Sequence, residues 1–297
     1  MSITWLILPD FLLIALGWSL YRFFGFTREL FTGLEKLIYY VLFPALLLHS
    51  ILKAPITPAT AGEIAIATTS LSFAGYILAA IVGRIIRAPS RALASSIQTA
   101  FRFNTYLGLA IAQALAGPEG VSLMALYVGL SVPVGNMLAV YALAREQKTN
   151  ILMALMRNPL LLATVAGLCG NLAGFQLPDA LSNTLGRLGT TSIALGILCI
   201  GPSLNWQASR GKELLISSML FIRLLIMPLV ALGLGLLMKF PPLDLQMLVL
   251  FGTLPCATTA YVLAVRMSGD GQVVSLIISA GTILSAITIP IWMNFLL

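Results

Sequence analysis

Charge is what this sequence has least of. Lys, Arg, Asp and Glu make up 9% of its 297 residues, against 59% hydrophobic ones, where a soluble domain carries roughly 25% charged residues to cover its surface. A water-facing globule is excluded, and a mean hydropathy of +0.99 makes the lipid bilayer the solvent for most of the chain. Cysteine is scarce too. Cys169, Cys199 and Cys256 all lie in apolar runs, an odd number without metal-ligand spacing, which excludes a disulfide framework and a zinc site. No nucleophile–base pairing, His-Glu-x-x-His helix or phosphate-binding loop appears, so neither an enzyme nor a metal or cofactor site is expected. Carboxylates are missing from the middle of the apolar runs, which argues against a buried Asp pair of the kind that carries protons or Na⁺. The first residues, MSITWLILPD, lack a positive leader region and hold Asp10 in the apolar stretch, so the first helix is expected to stay in the mature protein.

What the sequence has is a series of apolar runs, each near the ~20 residues that cross a bilayer. They cover residues 2–24, 34–52, 62–86, 92–116, 119–144, 154–175, 183–204, 213–238, 245–267 and 272–297, spans 1 to 10 in order. The net charge of +7 is spread over the ends of these runs and forms no single patch, which speaks against nucleic-acid binding. The basic residues alternate by connection. Arg22, Arg28, Lys36, Arg84, Arg87, Arg91, Arg145, Lys148, Arg157, Arg210, Lys212 and Arg266 fall in odd connections, and only Lys53, Arg187 and Lys239 in even ones. The positive-inside rule then puts the odd connections in the cytoplasm and both termini on the non-cytoplasmic side of the inner (plasma) membrane.

Five spans per half force the second half to enter from the opposite side, so related halves would form an inverted repeat. The expected fold is an all-α integral membrane protein of ten transmembrane helices. Residues 1–148 and 149–297 are the two repeats. An offset of 152 positions pairs Gly117 with Gly269, Val121 with Val273, Gly129 with Gly281 and Ala112 with Ala264. That places span 4 on span 9 and span 5 on span 10.

Spans 4 and 9 differ from the others. The first contains Arg102-Phe103-Asn104-Thr105-Tyr106-Leu107-Gly108, the second Thr253-Leu254-Pro255-Cys256-Ala257-Thr258-Thr259. In each, a polar cluster sits beside a helix-weakening Gly or Pro, and a break in lipid persists only where it is buried or lines a cavity. Paired breaks in repeat-related helices point to a transporter site, where two positive half-helix ends would favour an anion. Asn104, Thr105, Gly108, Pro255, Cys256, Thr258 and Thr259 are the candidate substrate-binding residues, with Asn136 of span 5 a further lining candidate. The same small polar residues could instead only knit helices together. Arg102 and Arg223 lie within spans, where a charge is a functional candidate. Arg102 could neutralise an anion or pin the crossing, or either could snorkel or cap freed carbonyls. The single histidine, His49, reads as a hydrogen-bonded structural residue before a proton relay.

These residues resemble a known family. Leu42-Phe43-Pro44-Ala45-Leu46, Asn104-Thr105-x-Leu107-Gly108-Leu109, Asn158-Pro159, Leu254-Pro255 followed by Ala264, and Gly281-Thr282-x-x-Ser285 with Ile289-Pro290 are similar, in order along nearly the whole chain, to the auxin efflux carriers. That family includes the plant PIN exporters and bacterial carboxylate carriers. The resemblance implies a scaffold and a transport subdomain moving as rigid bodies, with crossed spans 4 and 9 holding the substrate carboxylate, and Asn104 as the family's conserved Asn. Where the family carries crossover prolines, this chain has Ala110 or Ile111 and Ala260. The short connection from Arg145 to Arg157 lacks the long loop of plant exporters. The expected function is secondary transport of a small organic anion, auxin-like or a dicarboxylate, by alternating access. Its partners are that anion and the lipid bilayer; a homodimer is compatible with the sequence. The rival is a membrane receptor or regulatory module that binds the anion without moving it.

Overall fold

The computed structural model describes residues 3–54, 57–143, 159–204 and 211–296. Arg145, Lys148, Arg157, Asn158 and Arg210, and with them the expected boundary between the halves, lie outside the described residues. Among those described, every regular element is helical.

Helix α1 covers Ile3–Phe23. Then α2 (Arg28–Leu37), a π-helical turn (Ile38–Leu42) and α3 (Phe43–Lys53) follow one another without a break, and α4 covers Pro58–Ile85. The π turn has a local cause. Pro44 has no N–H to give, and the Phe43 N–H reaches back to the Ile38 carbonyl instead. Helix α5 (Ser90–Ser96) tightens into a 3₁₀ turn (Ile97–Ala100), and α6 covers Thr105–Leu143 with a sharp kink at Ala116 and Gly117. Gly117 has φ +58°, a conformation a side chain would oppose, so the chain reverses there. After the undescribed stretch come α7 (Pro159–Leu172), α8 (Asp179–Ile200), and α9 (Glu213–Phe221) joined through a second π turn (Ile222–Ile226) to α10 (Met227–Leu237). Pro228 repeats there the role of Pro44. Helices α11 (Pro242–Thr253), α12 (Thr259–Arg266) and α13 (Gly271–Leu296) complete the chain.

Among the described residues, six helical stretches are long and apolar enough to cross a membrane, and shorter apolar helices cover 162–172 and 242–253. Their outer faces carry Phe73, Ile77, Ile85, Leu229, Leu236, Ile287 and Ile291 exposed, and α1 carries Leu12 exposed, as a lipid-facing surface requires. Inside, small residues bring backbones together. A Cβ on Gly17 would fall on the Leu198 carbonyl, which docks α1 against α8, and Gly167 and Gly170 of α7 receive Ile51 and Leu52 of α3. Asn171 of α7 then donates to the carbonyls of Ile51, Leu52 and Ala54 at 2.9, 3.1 and 2.7 Å. It satisfies the open C-terminal end of α3.

A polar lock closes one end of the bundle. Lys212 Nζ meets Asp270 Oδ2 at 2.6 Å, Asp270 Oδ1 accepts from the Val273 N–H of α13, and Arg91 donates to the Gly269 carbonyl. Burial pushes the Asp270 carboxyl up. The Lys212 and Val273 hydrogen bonds and the charges of Lys212 and Arg91 outweigh it, so the group titrates below the usual carboxylate range. A depressed folded pKa stabilises the fold fully above the unfolded value of ~3.9 and stops doing so as pH falls through the folded value. Thermal unfolding of the detergent-purified protein should therefore lose stability between pH 5 and 3 (order-of-magnitude window, ~2 units) more steeply than Asp270→Asn does. Equal slopes would refute the lock.

Candidate functional site

The two polar clusters meet. Between the 3₁₀ turn ending at Ala100 and the start of α6, residues Phe101–Asn104 leave the helix, and between α11 and α12 residues 254–258 do the same. The Asn104 N–H donates to the Pro255 carbonyl at 2.8 Å, joining one break to the other. The buried Gln98 amide donates to the Ala260 carbonyl at 3.2 Å and accepts from Arg102 Nη1 at 3.0 Å, while Arg102 Nη2 donates to Thr259 Oγ1 at 2.9 Å. Each break thus exposes backbone and side-chain groups that the other satisfies, which is how non-helical backbone survives at membrane depth.

On one side of this crossing lies a cavity of about 200 Å³, lined by Arg102, Asn104, Thr105, Asn136, Thr258 and Thr259 among the residues named from sequence, and also by Tyr39, Phe43, Tyr106 and Ser131. Pockets for drug-sized ligands run ~300–1,000 Å³, so this one suits a small molecule. Asn104 does two things there. Its Oδ1 accepts from the Leu107 N–H at 3.2 Å as an N-cap of α6. Its Nδ2, on a residue 2% exposed, has no hydrogen-bond partner, and a buried donor left so costs ~1–3 kcal/mol. Thr105, Thr258 and the half-buried Asn136 amide add donors that no protein group takes among the described residues. The N-terminus of α6, with its unpaired N–H groups and partial positive charge, opens on the same space. The matching end of α12 is more closed, because Ala257 and Thr258 carbonyls already accept from the Ala260 and Tyr261 N–H groups at 3.1 Å each. The anion-favouring field is therefore asymmetric, stronger from α6.

Gly108, Pro255 and Cys256 do not line this cavity. The chain breaks at 101–104 and Gly108 lies within α6, where a Cβ would come 2.7 Å from Leu254 Cδ1. It lets the second break pack close. Pro255 contributes its carbonyl to the crossing, and Cys256 is buried in a small apolar cluster with Ala260, Ala264, Val274 and Ile278.

Arg223 stands elsewhere. Only 2% exposed, it donates through Nε to the Leu254 carbonyl, through Nη1 to Ala100 and through Nη2 to Phe251, at 2.5, 3.3 and 3.2 Å. These carbonyls end the half-helices that enter the two breaks, so one guanidinium serves both negative helix ends. Sequence reasoning offered carbonyl capping for Arg223 without naming partners. It missed Gln98, Tyr39 and Ser131 altogether. The π turn at Pro44 was the available signal for Tyr39, since π turns cluster at functional sites. His49 fulfils the structural reading, its Nε2 3.3 Å from Ser182 Oγ.

Comparison with known proteins fits this architecture. The family described as "Membrane transport protein" matches residues 142–293, half of the chain. An "Uncharacterized transporter" of Methanothermobacter thermautotrophicus is 28% identical over 200 residues, 66% of this chain and 66% of that protein's own length. A "Putative malonate transporter" of Rhizobium meliloti is 23% identical over 310 aligned positions, 97% of this chain and 94% of the relative. With the family's sequence profile spanning half the chain and a crossing of two broken helices at its centre, this protein belongs to the membrane transport protein family of auxin efflux carriers.

Proposed function

We propose that the protein is a secondary transporter that carries a small organic anion, a mono- or dicarboxylate, across the membrane by alternating access. The observation that carries this reading is the buried, unpartnered Asn104 Nδ2 at the N-terminus of α6, inside a cavity that Arg102 also lines. A carboxylate oxygen there would accept from Asn104 Nδ2 and from the first N–H groups of α6, with Thr105, Thr258, Thr259 and Asn136 around the rest of the molecule. Gly108, Pro255 and Cys256 act by shaping the crossing. The relative named for malonate supports a dicarboxylate as the first substrate to try.

In this reading α2 with α3, α5 with the first part of α6, α9 with α10, and α11 with α12 each make one span, and the second part of α6 makes another, giving ten in two inverted halves. The twelve-to-three distribution of basic residues between odd and even connections supports both termini outside the cytoplasm. The test is uptake of radiolabelled malonate, with monocarboxylates beside it, into proteoliposomes of purified protein, pH and Na⁺ gradients being varied separately. Saturable uptake above protein-free vesicles is expected. Flux equal to protein-free vesicles for every carboxylate would end the proposal.

A further inference from the structure

A second cavity, of about 990 Å³, opens at the other end of α3, α6 and α8. Along α3 the central cavity is lined by Phe43 and the second by Leu46, His49, Ser50 and Lys53. Along α6 the corresponding residues are Asn104 to Tyr106 and then Gln113. Phe43 and Leu46 are about 4.5 Å apart in helical rise, so along α3 the two spaces are separated by less than one helical turn. What fills that turn is apolar. The Phe43 and Tyr106 rings stack with centroids 4.7 Å apart, and Tyr106 lies over Gly196 of α8.

The second cavity is positive. Lys53 and Arg187 both line it, neither has an ion pair among the described residues, and no carboxylate is among its lining residues. Glu63 and Glu119 bear electrostatically on Asp244, and none of the three lines the cavity, although Glu119 follows the lining Pro118 in the chain. On α8 the polar residues Asn183, Arg187, Thr190 and Thr191 share one face and all line the cavity. A polar stripe on a membrane helix faces an aqueous space or protein, not lipid. His49 is held at the back of this space by Ser182, its ring 3.2 Å from where a Cβ on Gly186 would stand. Lys53 and Arg187 are both exposed, and two cations without an ion pair in one concave space with low-dielectric walls focus a field that concentrates anions, by roughly tenfold or more.

We propose that this cavity is a second anion site, a vestibule in which Lys53 and Arg187 hold the carboxylate of the transported anion on its way to or from the central site. The identity of its ligand rests on the transport reading above; its positive potential does not. The two can be tested apart. In a Cys169→Ser background, Thr190→Cys places a thiol on the cavity wall, and Asn183→Cys is the second position should the first fold poorly. Reaction rates with an anionic and a cationic methanethiosulfonate are compared, with and without malonate, in the parent and in the Lys53→Gln/Arg187→Gln double variant. The anionic-to-cationic rate ratio should fall about tenfold or more in the double variant. Malonate should slow labelling in the parent alone, and the KM for malonate offered from this face should rise about tenfold. A ratio that stays within about twofold, with no malonate protection in the parent, would overturn the vestibule while leaving measured transport intact. Protection in a protein that moves no carboxylate would uphold the vestibule and end the transport reading.

Discussion

Replacing Arg223 by Met should lower the unfolding free energy by about 3 kcal/mol and abolish transport. The argument starts from the carbonyls. Ala100 ends the 3₁₀ turn of one half-helix, and Phe251 and Leu254 end the other. Breaking each helix leaves these oxygens without the N–H groups that a continuous helix would supply. Both ends also carry partial negative charge, and they are brought together around the buried Arg223. A planar guanidinium with donors pointing three ways meets all of them at once, and a charge-assisted hydrogen bond in such a place is worth ~1.5–3 kcal/mol. Met fills the volume but offers no donor. Part of the loss is offset because the buried charge and its desolvation go too, hence the estimate of about 3 kcal/mol, less than the sum of three bonds. Arg223→Lys should recover only part, since an ammonium cannot span three carbonyls in this fork geometry. Chemical denaturation in detergent measures it. An Arg223→Met protein within ~0.5 kcal/mol of the parent, the size of an ordinary surface substitution, would show that the crossing does not need the cation.

Asn104→Asp is the sharper test of the site. Aspartate is as good an N-cap as asparagine, so α6 keeps its start and the protein its fold. The amide donor, however, becomes a carboxylate oxygen inside the cavity meant for a carboxylate. One donor to a charged ligand is worth ~1.5–3 kcal/mol, or roughly 10- to 100-fold in affinity, and like-charge repulsion adds to that. Malonate flux should therefore fall about 100-fold or more in Asn104→Asp with unfolding little changed. Asn104→Ala loses both functions, with about 1 kcal/mol of stability going with the cap. Normal flux through Asn104→Asp would remove Asn104 from the binding site.

Some of this was legible along the chain. The apolar runs predicted helices, and among the described residues helices stand along them; the boundary between runs 92–116 and 119–144 marked a reversal that the structure puts at Ala116 and Gly117. The polar clusters at 102–108 and 253–259 each advertised a break, because clustered Asn, Thr and Pro in an apolar run are costly unless they face one another or a ligand. Five of the eight candidates in these clusters line one cavity, with Asn136 of the next span beside them. The exact break was not legible. Gly108 is the weaker helix former, but the chain leaves the helix at 101–104, where Asn104 can cap α6 and reach Pro255.

The sequence alone determined the solvent of the chain, the helical class and the two segments that cannot be simple helices, since each follows from composition and spacing within one segment. Tertiary structure decided the rest. Arg223 lies 123 positions from Ala100, and Gln98 lies 162 from Ala260; no local pattern marks such partners. The same holds for the Lys53 and Arg187 side chains, which share a cavity only because Gly186 and Gly189 let α3 approach α8 closely. A side chain's type can be read in sequence, but what it must satisfy is set by the groups that folding leaves exposed around it.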